Sequence, residues 1–279
     1  MRRAMFIAAI GALVAPSLLA AQSWRTVTMS RQLPRASTEL RVFVEYGAGE
    51  LDIRSVDEGV LYRMNLRYDE DAFEPVADFS SDRLRLGIES LRRGIEIRGR
   101  RQSGMLDLEL ARGVPMDLDL AFGAVQAEID LGGLALTDLS LSTGASESTI
   151  DVSEPNTASM RTASFEVGAA QFTARHLGNL NAERIQFDAG VGSVSLWLNG
   201  RWQRDAELSI DMGLGSLNLF VPEGLGIRLR KNSFLTALDS EGLVKRGDVY
   251  ESLDFEDADR KVTIDLDAAF GSVAVVWVR

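Results

Sequence analysis

A short unit recurs along most of this chain and constrains its fold more than any other feature. The segment FDAGVGSVSLWL, residues 187–198, is followed 23 residues later by IDMGLGSLNLFV, residues 210–221. We align the copies on the second glycine of the pair, the anchor, and the spacing from residue 123 to residue 215 is then 23, 24, 22 and 23 residues. Such spacing is typical of stacked supersecondary units. The anchors are Gly49, Gly123, Ser146, Ala170, Gly192, Gly215 and Gly271.

The residues around each anchor alternate between apolar and polar side chains. Ile185 and Phe187, seven and five residues before Gly192, are apolar, and every other copy has an apolar residue at both positions. The alternation resumes after the anchor with Val194 and Leu196. A period of two is typical of a half-buried strand. Each copy therefore predicts a strand, a corner of small residues and a second strand.

Stacking of these copies predicts the fold class. One copy cannot bury its apolar row alone, but copies about 4.8 Å apart in a hydrogen-bonded ladder bury it between them. Glycine, alanine and serine at the corner leave room for a sharply bent backbone that lies close to the next coil. The sequence therefore predicts an all-β fold, a single-stranded β-solenoid with coils of about 23 residues.

The regions outside the regular repeat divide the chain further. Residues 1–21, MRRAMFIAAIGALVAPSLLAA, have two arginines, an apolar run and small residues at the end. This pattern predicts a secretory signal peptide, hence an exported protein of the periplasm or cell surface without a transmembrane segment in the mature chain. We expect a lead-in at 22–39, an irregular β region at 40–112, and a regular solenoid at 113–279 with an inserted loop at 241–261 and a terminal capping coil.

The composition excludes several classes of function. The chain has no cysteine and one histidine, so thiol catalysis is excluded and neither a histidine-dependent triad nor a zinc site is expected. We interpret His176 as a core or rim residue rather than a catalyst. The net charge of −11 argues against binding to nucleic acid. We predict no catalytic residue and no cofactor.

Several segments resemble the toast-rack family of bacterial envelope proteins. They are GASESTIDVSEPN at 144–156, LGNLNAERIQFDAGVGSVSL at 177–196, QRDAELSIDMGLGSLNLFVPEGLGIRL at 203–229 and KRGDVY at 245–250. The family is of unknown function and is similar to the C-terminal domain of LiaF-like cell-wall-stress proteins and to bacterial adhesin-like proteins. The resemblance implies a single-stranded β-solenoid with no established enzymatic activity.

Acidic residues recur four positions before the anchor, and this row has two interpretations. It is either a solvated outer face, partly neutralised by arginines such as Arg184 and Arg204, or a ladder in which a divalent cation such as calcium bridges Glu166, Asp188 and Asp211. We favour the solvated face, and calcium binding remains the alternative. The residues at this position are Glu45, Asp119, Ser142, Glu166, Asp188, Asp211 and Asp267.

Five positions after the anchor, the residue type changes along the chain. The early copies have Arg54, Glu128, Asp151 and Arg175, and the late ones have Trp197, Phe220 and Val276. We call these last three the interaction stripe. Either the inserted segment 241–261 folds back over the stripe, or the stripe is a docking surface for a partner protein or a second copy.

Two functions fit these patterns. The first is a non-enzymatic structural or interaction module of the cell envelope, connected with adhesion or envelope stress. The alternative is a carbohydrate-active β-solenoid enzyme that acts on an acidic or neutral polysaccharide. The loops between 131 and 204 are short and the chain has three lysines, which disfavours the enzyme. A groove with a carboxylate pair about 5–9 Å apart and aromatic walls would support it.

Overall fold

The computed structural model describes residues 23–34, 39–57, 59–91 and 104–279. The predicted signal peptide, 1–21, lies outside these residues. The described residues form strands and one short 3-10 turn, Leu177–Leu180. The strands are β1 (Trp24–Gln32), β2 (Leu40–Val56), β3 (Val60–Asp69), β4 (Phe73–Ser80), β5 (Arg83–Ser90), β6 (Gly104–Ala111), β7 (Pro115–Asp130), β8 (Ala135–Thr143), β9 (Glu147–Asp151), β10 (Met160–Arg175), β11 (Ala182–Trp197), β12 (Ala206–Pro222), β13 (Leu225–Asp239), β14 (Leu243–Arg246), β15 (Val249–Ser252) and β16 (Arg260–Val278).

The long strands stack in parallel, as the repeat predicts. Strands β10, β11, β12 and β16 pair in this order, with equivalent repeat positions side by side. Phe165 lies beside Phe187, and Phe187 beside Ile210. Together with the near-absence of other secondary structure in the described chain, this confirms the all-β solenoid.

Each long strand folds back on itself at the corner. The ring centroids of Phe165 and Phe172, both in β10, are 6.1 Å apart. Seven residues of straight strand would span about 23 Å, so the strand has a first arm before the corner and a second arm after it. The inward side chains of the two arms meet in one core, where Phe187 contacts both of these rings. Burial of such large apolar side chains is the main source of stability in a fold of this kind.

The glycine corner is required because neighbouring coils approach closely there. Gly215 has a φ of +147°, and a Cβ at this residue would overlap the carbonyl oxygen of Gly192. Gly271, with a φ of +139°, has the same relation to Gly215. An L-amino acid with a side chain rarely adopts this backbone conformation, so both the conformation and the lack of space select glycine.

One anchor assigned from the sequence is wrong by two residues. In the structure Gly49 pairs with Val125, whereas Gly123 aligns with Gly47 and Gly144. Gly123 is therefore the first glycine of its pair, and Val125 occupies the place of the second. The correction moves Asp119 out of the acid row, where Ala121 stands instead, and replaces Glu128 by Asp130 five positions after the anchor.

The N-terminal strands extend the stack beyond β7. Strand β2 pairs with β7 from Leu40 to Ile53, and on its other side β5 follows the first arm while β6 follows the second. Strands β4 and β5 form an antiparallel pair, and β3 and β1 add antiparallel strands beyond β6. The segment from Leu40 to Val56 is thus stacked directly on the regular coils, although it is distant from them in sequence.

The strand order at the other end differs from the order in the sequence. The last strand, β16, lies between β12 and β13. The antiparallel hairpin β14–β15 then pairs with Arg228–Arg230 of β13 and occupies the end of the sheet. We expected a terminal coil at this end, but the hairpin and β13 occupy it. The sequence does not reveal this order because β13 and β16 both have the inward pattern of a coil.

Buried asparagines hold the turns that connect one coil to the next. Asn156 donates hydrogen bonds to the carbonyl oxygens of Leu136 and Leu180, at 2.8 and 3.0 Å. Asn179 donates to the carbonyl oxygen of Val152 at 2.7 Å. Polar backbone groups of buried turns need such partners, which explains why asparagine occupies these positions. Within the described residues, none of the helical structure is long and apolar enough to span a bilayer.

Candidate functional site

A long groove runs along the stack on the first-arm side of the corners. Its volume is about 1380 Å³, and it extends across β2, β7, β8, β10, β11, β12, β16 and β13, with Ile88 of β5 lining its end beside β2. In most coils three consecutive positions line it: the acid row, an inward residue that is apolar except at Thr143, and the first glycine of the pair, which is Ala269 in β16. Because this glycine points outward and has no side chain, the backbone forms an open trough. The glycines are Gly47, Gly123, Gly144, Gly168, Gly190 and Gly213.

The acid row lies along this groove. Register pairing places Glu166 beside Asp188, Asp188 beside Asp211 and Asp211 beside Asp267. Neighbouring strands are about 4.8 Å apart, so the carboxylates follow one another at about that interval. The structure therefore brings together the three residues of the predicted ladder and adds Asp267 to them.

The arginines expected to neutralise the row are engaged elsewhere. Arg184 pairs with Glu207 at 3.5 Å, and Arg204 pairs with Glu183 at 2.7 Å. The structure shows no ion pair for Asp188, Asp211 or Asp267 within the residues that it describes. This part of the groove is therefore strongly negative, and the expectation of neutralisation by Arg184 and Arg204 is wrong.

Partial burial and the crowding of carboxylates change the acidity of one residue of the acid row. Partial burial raises the pKa of the Asp211 carboxyl, and the neighbouring Asp188 and Asp267 raise it further.

At the other end of the groove, Tyr46 is 3% exposed and its hydroxyl has no hydrogen-bond partner among the described residues. Burial, with a smaller effect of Glu50, raises the pKa of Tyr46 above its usual range.

An exposed apolar row lies next to the groove, and the sequence interpretation missed it. Val191, Leu214 and Phe270 are half exposed, at 51%, 51% and 48%. They are paired across β11, β12 and β16 and directly follow the groove-lining residues of each strand. The sequence signal for this row is an apolar residue between the two small residues of the corner. The alternation of core residues does not require an apolar side chain there. In β10 this position is Ala169, so the row grows larger toward β16.

The interaction stripe lies on the outer side of the second arms. Trp197 and Phe220 stack with ring centroids 3.9 Å apart and an interplanar angle of 10°, and Val276 pairs with Phe220 in the next strand. The hairpin β14–β15 pairs with the first arm of β13, whereas the stripe is on the second arms. The structure therefore places these strands of the inserted segment beside another part of the sheet.

The stripe is part of a larger surface without charged residues, which we call the neutral face. It consists of the outward residues on the second arms of β11, β12 and β16. Its polar members are small, and the Ser216 hydroxyl donates to the Ser193 hydroxyl at 3.2 Å. The nine residues are Ser193, Ser195, Trp197, Ser216, Asn218, Phe220, Ser272, Ala274 and Val276.

Metal binding and histidine catalysis find little support in the described residues. Nowhere in the described ranges do three or more histidine, cysteine, aspartate or glutamate side chains form a group that could hold a metal ion. His176 is partly buried, and its Nδ1 lies 2.6 Å from an Asp151 carboxylate oxygen. It lies at a turn between coils, where its backbone N–H donates to the Asn199 side chain at 3.0 Å, so we interpret it as a residue that holds the turn.

Three solved structures resemble this one, although at low sequence identity. A "putative cell adhesion protein" from Clostridium sporogenes is 14% identical, with 92% of this chain and 100% of that chain covered and a TM-score of 0.46. A "putative adhesin" from Bacteroides fragilis is 8% identical, with 91% and 97% covered and a TM-score of 0.39. A "putative lipid binding protein" from Parabacteroides distasonis is 9% identical, with 92% and 97% covered and a TM-score of 0.32. At these scores the resemblance identifies no shared function.

The family comparison is more informative. No curated protein matches the chain. The model described as the N-terminal domain of toast_rack, DUF2154, matches residues 21–175, which is more than half of the chain. The matched range runs through β1–β10, from the antiparallel end strands into the regular coils. This match confirms the resemblance seen in the sequence, and the chain belongs to the toast-rack family.

Proposed function

We propose that this chain is a non-enzymatic structural module of the bacterial cell envelope that associates with a second copy of itself through the neutral face. The observation that best supports this is the stacked pair of Trp197 and Phe220 on an outer surface without charges. Aromatic residues are enriched and charged residues depleted at the centres of protein interfaces. A few such residues commonly contribute most of the binding energy.

The charge of the chain favours a second copy at this surface. The net charge is −11, so two copies repel each other wherever their carboxylates meet. Two copies that met at the outer sides of their first arms would repel each other, because Asp188, Asp211 and Asp267 lie there. The neutral face allows two copies to approach without bringing these carboxylates together. In a stable complex each partner buries about 800 Å² of its surface. The nine residues of the neutral face would form the centre of such an interface, and residues around them would complete it.

Light scattering tests this proposal. We expect the purified exported chain to be a dimer at micromolar concentration, and Trp197→Glu to be a folded monomer because it places a carboxylate at the interface centre. Leu253→Glu is the matched control, since Leu253 is 78% exposed outside the neutral face and the dimer should persist. A wild-type monomer at every concentration, or a Trp197→Glu dimer, would overturn the proposal.

Export is the second part of the proposal. The N-terminal pattern predicts cleavage near Ala21, so the mature chain should begin at Gln22. Mass spectrometry of the protein from the cell envelope fraction measures this directly. We expect the mass of residues 22–279, and deletion of residues 2–21 should leave the protein in the cytoplasm. Recovery of the uncleaved chain in the cytoplasm would contradict export.

The alternative of a carbohydrate-active enzyme has less support from the groove. Its carboxylates lie on adjacent strands, but the aromatic residues that line it, Tyr46 and Phe122, belong to β2 and β7. Asp211 lies on β12, where the neighbouring lining residues are Met212 and Gly213. Apart from Phe270 on the adjoining apolar row, the aromatic residues and the densest acids therefore lie at different ends of the groove. Release of reducing sugar from a polysaccharide, abolished by Asp211→Asn, would establish the enzyme instead.

A further inference from the structure

We propose that the groove binds an extended segment of a partner protein in which cationic and apolar side chains alternate. This site is separate from the neutral face and goes beyond the proposed self-association. The groove crosses eight strands, which corresponds to about 34 Å at 4.8 Å per step. An extended chain rises about 3.3 Å per residue, so roughly ten residues fit along it.

The two edges of the groove have different chemistry. On one side Asp188, Asp211 and Asp267 carry negative charge that no described residue pairs. On the other side the apolar row of Val191, Leu214 and Phe270 is about half exposed. Between the two edges lies the trough, formed by the backbone of Gly190 and Gly213 and by the small side chain of Ala269, which leaves room for a ligand.

A strand-like segment matches this arrangement because its side chains point alternately to opposite sides. Lysine or arginine at every second position would face the acid row and relieve the repulsion among its carboxylates. Apolar residues at the positions in between would cover Val191, Leu214 and Phe270, and burial of that surface is favourable. A metal ion or a small amine could satisfy the acids but would leave the apolar row exposed, so we favour the peptide.

The first experiment uses a synthetic decapeptide of alternating lysine and valine, with blocked termini, as the probe. Its control has the same composition in two blocks, five lysines followed by five valines. Binding is measured by fluorescence anisotropy in about 150 mM salt, because the salt screens the non-specific attraction of any cation to an acidic protein. We expect the alternating peptide to bind at least tenfold more tightly. Equal affinity of the two peptides would overturn the proposal.

Matched variants locate the site. Asp188→Asn with Asp211→Asn should weaken binding of the alternating peptide at least tenfold. The pair Asp248→Asn with Asp254→Asn removes the same charge outside the groove and should leave the affinity unchanged. For the apolar row, Leu214→Ser should weaken binding severalfold and Leu253→Ser should not. Equal losses in the two charge pairs would show a non-specific charge effect and contradict the groove. Circular dichroism checks that each variant is folded.

A fluorescent reporter gives a readout that does not depend on affinity. Because the chain has no cysteine, Val191→Cys provides a single site for an environment-sensitive dye beside the groove. We expect its emission to shift to shorter wavelength when the alternating peptide is added. The same dye at Leu253→Cys should not respond. A response at both positions, or at neither, would contradict binding along the apolar row. The neutral-face variant Trp197→Glu should still bind the peptide, which separates this site from self-association.

Discussion

The first and second arms of the same coils share one core but present different outer surfaces. In β11, β12 and β16 the first arms carry Asp188, Asp211 and Asp267 outward, whereas the second arms carry the neutral face. Inward residues on both arms of these three strands are uniformly apolar. The inward positions therefore determine the fold, and the outward positions can differ freely between arms without affecting it. Two binding surfaces can thus lie on one small stack.

The largest expected effect comes from introducing a charge on the inner side of a second arm rather than on its outer side. Leu196 is 1% exposed, and Leu196→Asp should abolish folding. An unpaired carboxylate in a core costs several kcal/mol, a large part of a total stability of about 5–15 kcal/mol. Far-UV circular dichroism and a thermal melt measure the loss. Ser195→Asp, one residue away on the outer side, should remain folded. A native melt for Leu196→Asp would refute the assignment of inner and outer sides.

The corner between the two arms should show the next largest effect. Gly215→Ala forces a side chain into the positive-φ conformation and against the carbonyl oxygen of Gly192. The backbone strain alone costs about 1–3 kcal/mol, and the overlap adds to it. Gly47→Ala is the control, because a Cβ there has nothing within 4 Å. Urea denaturation compares the two free energies of unfolding. Equal stability of both variants would mean that the corner is not sterically constrained.

The corner also shows how far the sequence predicts this structure. The period of two and the 23-residue spacing predict the coils, because core packing imposes both on every copy. The shifted anchor at Gly123 could not be recognised, since one glycine column resembles the other until strand pairing is known. The position of β16 between β12 and β13 depends on long-range pairing and leaves no local signal. The acid row and the stripe recur at fixed positions of the repeat, so the sequence reveals them. The groove results from a glycine that contributes no side chain, so no pattern of side chains predicts it.

A smaller effect is expected from removing one charge of the acid row. The raised pKa of Asp211 means that the folded state disfavours its carboxylate. The penalty is fully present above that pKa and is lost as the pH falls through it toward the ordinary value of 3.8. Asp211→Asn should therefore stabilise the protein at pH 7, because like charges directly opposite each other on adjacent strands are destabilising; we expect about 0.2–1 kcal/mol, the magnitude of a favourable cross-strand pair. The gain should shrink as the pH approaches 4.

The control for this pH dependence is Asp248→Asn, which removes a charge from the turn between β14 and β15. Its effect on the free energy of unfolding should be within about 0.5 kcal/mol of zero, as for most surface substitutions. Unfolding in urea at several pH values and low salt gives both curves. A stabilisation by Asp211→Asn that persists unchanged at pH 4, or a destabilisation at pH 7, would show that the row is not held under mutual repulsion.

The smallest effect is expected from calcium, which distinguishes a repulsive acid row from a metal ladder. Calcium takes six to eight oxygen ligands from groups that converge on one point. The carboxylates of Glu166, Asp188 and Asp211 instead follow one another on successive strands, one to each coil. Millimolar calcium should therefore raise the melting temperature no more than a magnesium or sodium salt of equal ionic strength does, through screening alone. A calcium-specific rise in the melting temperature that Asp188→Asn abolishes would show that the acid row is a metal site. The first arms would then differ from the second arms by a bound ion rather than by exposed charge.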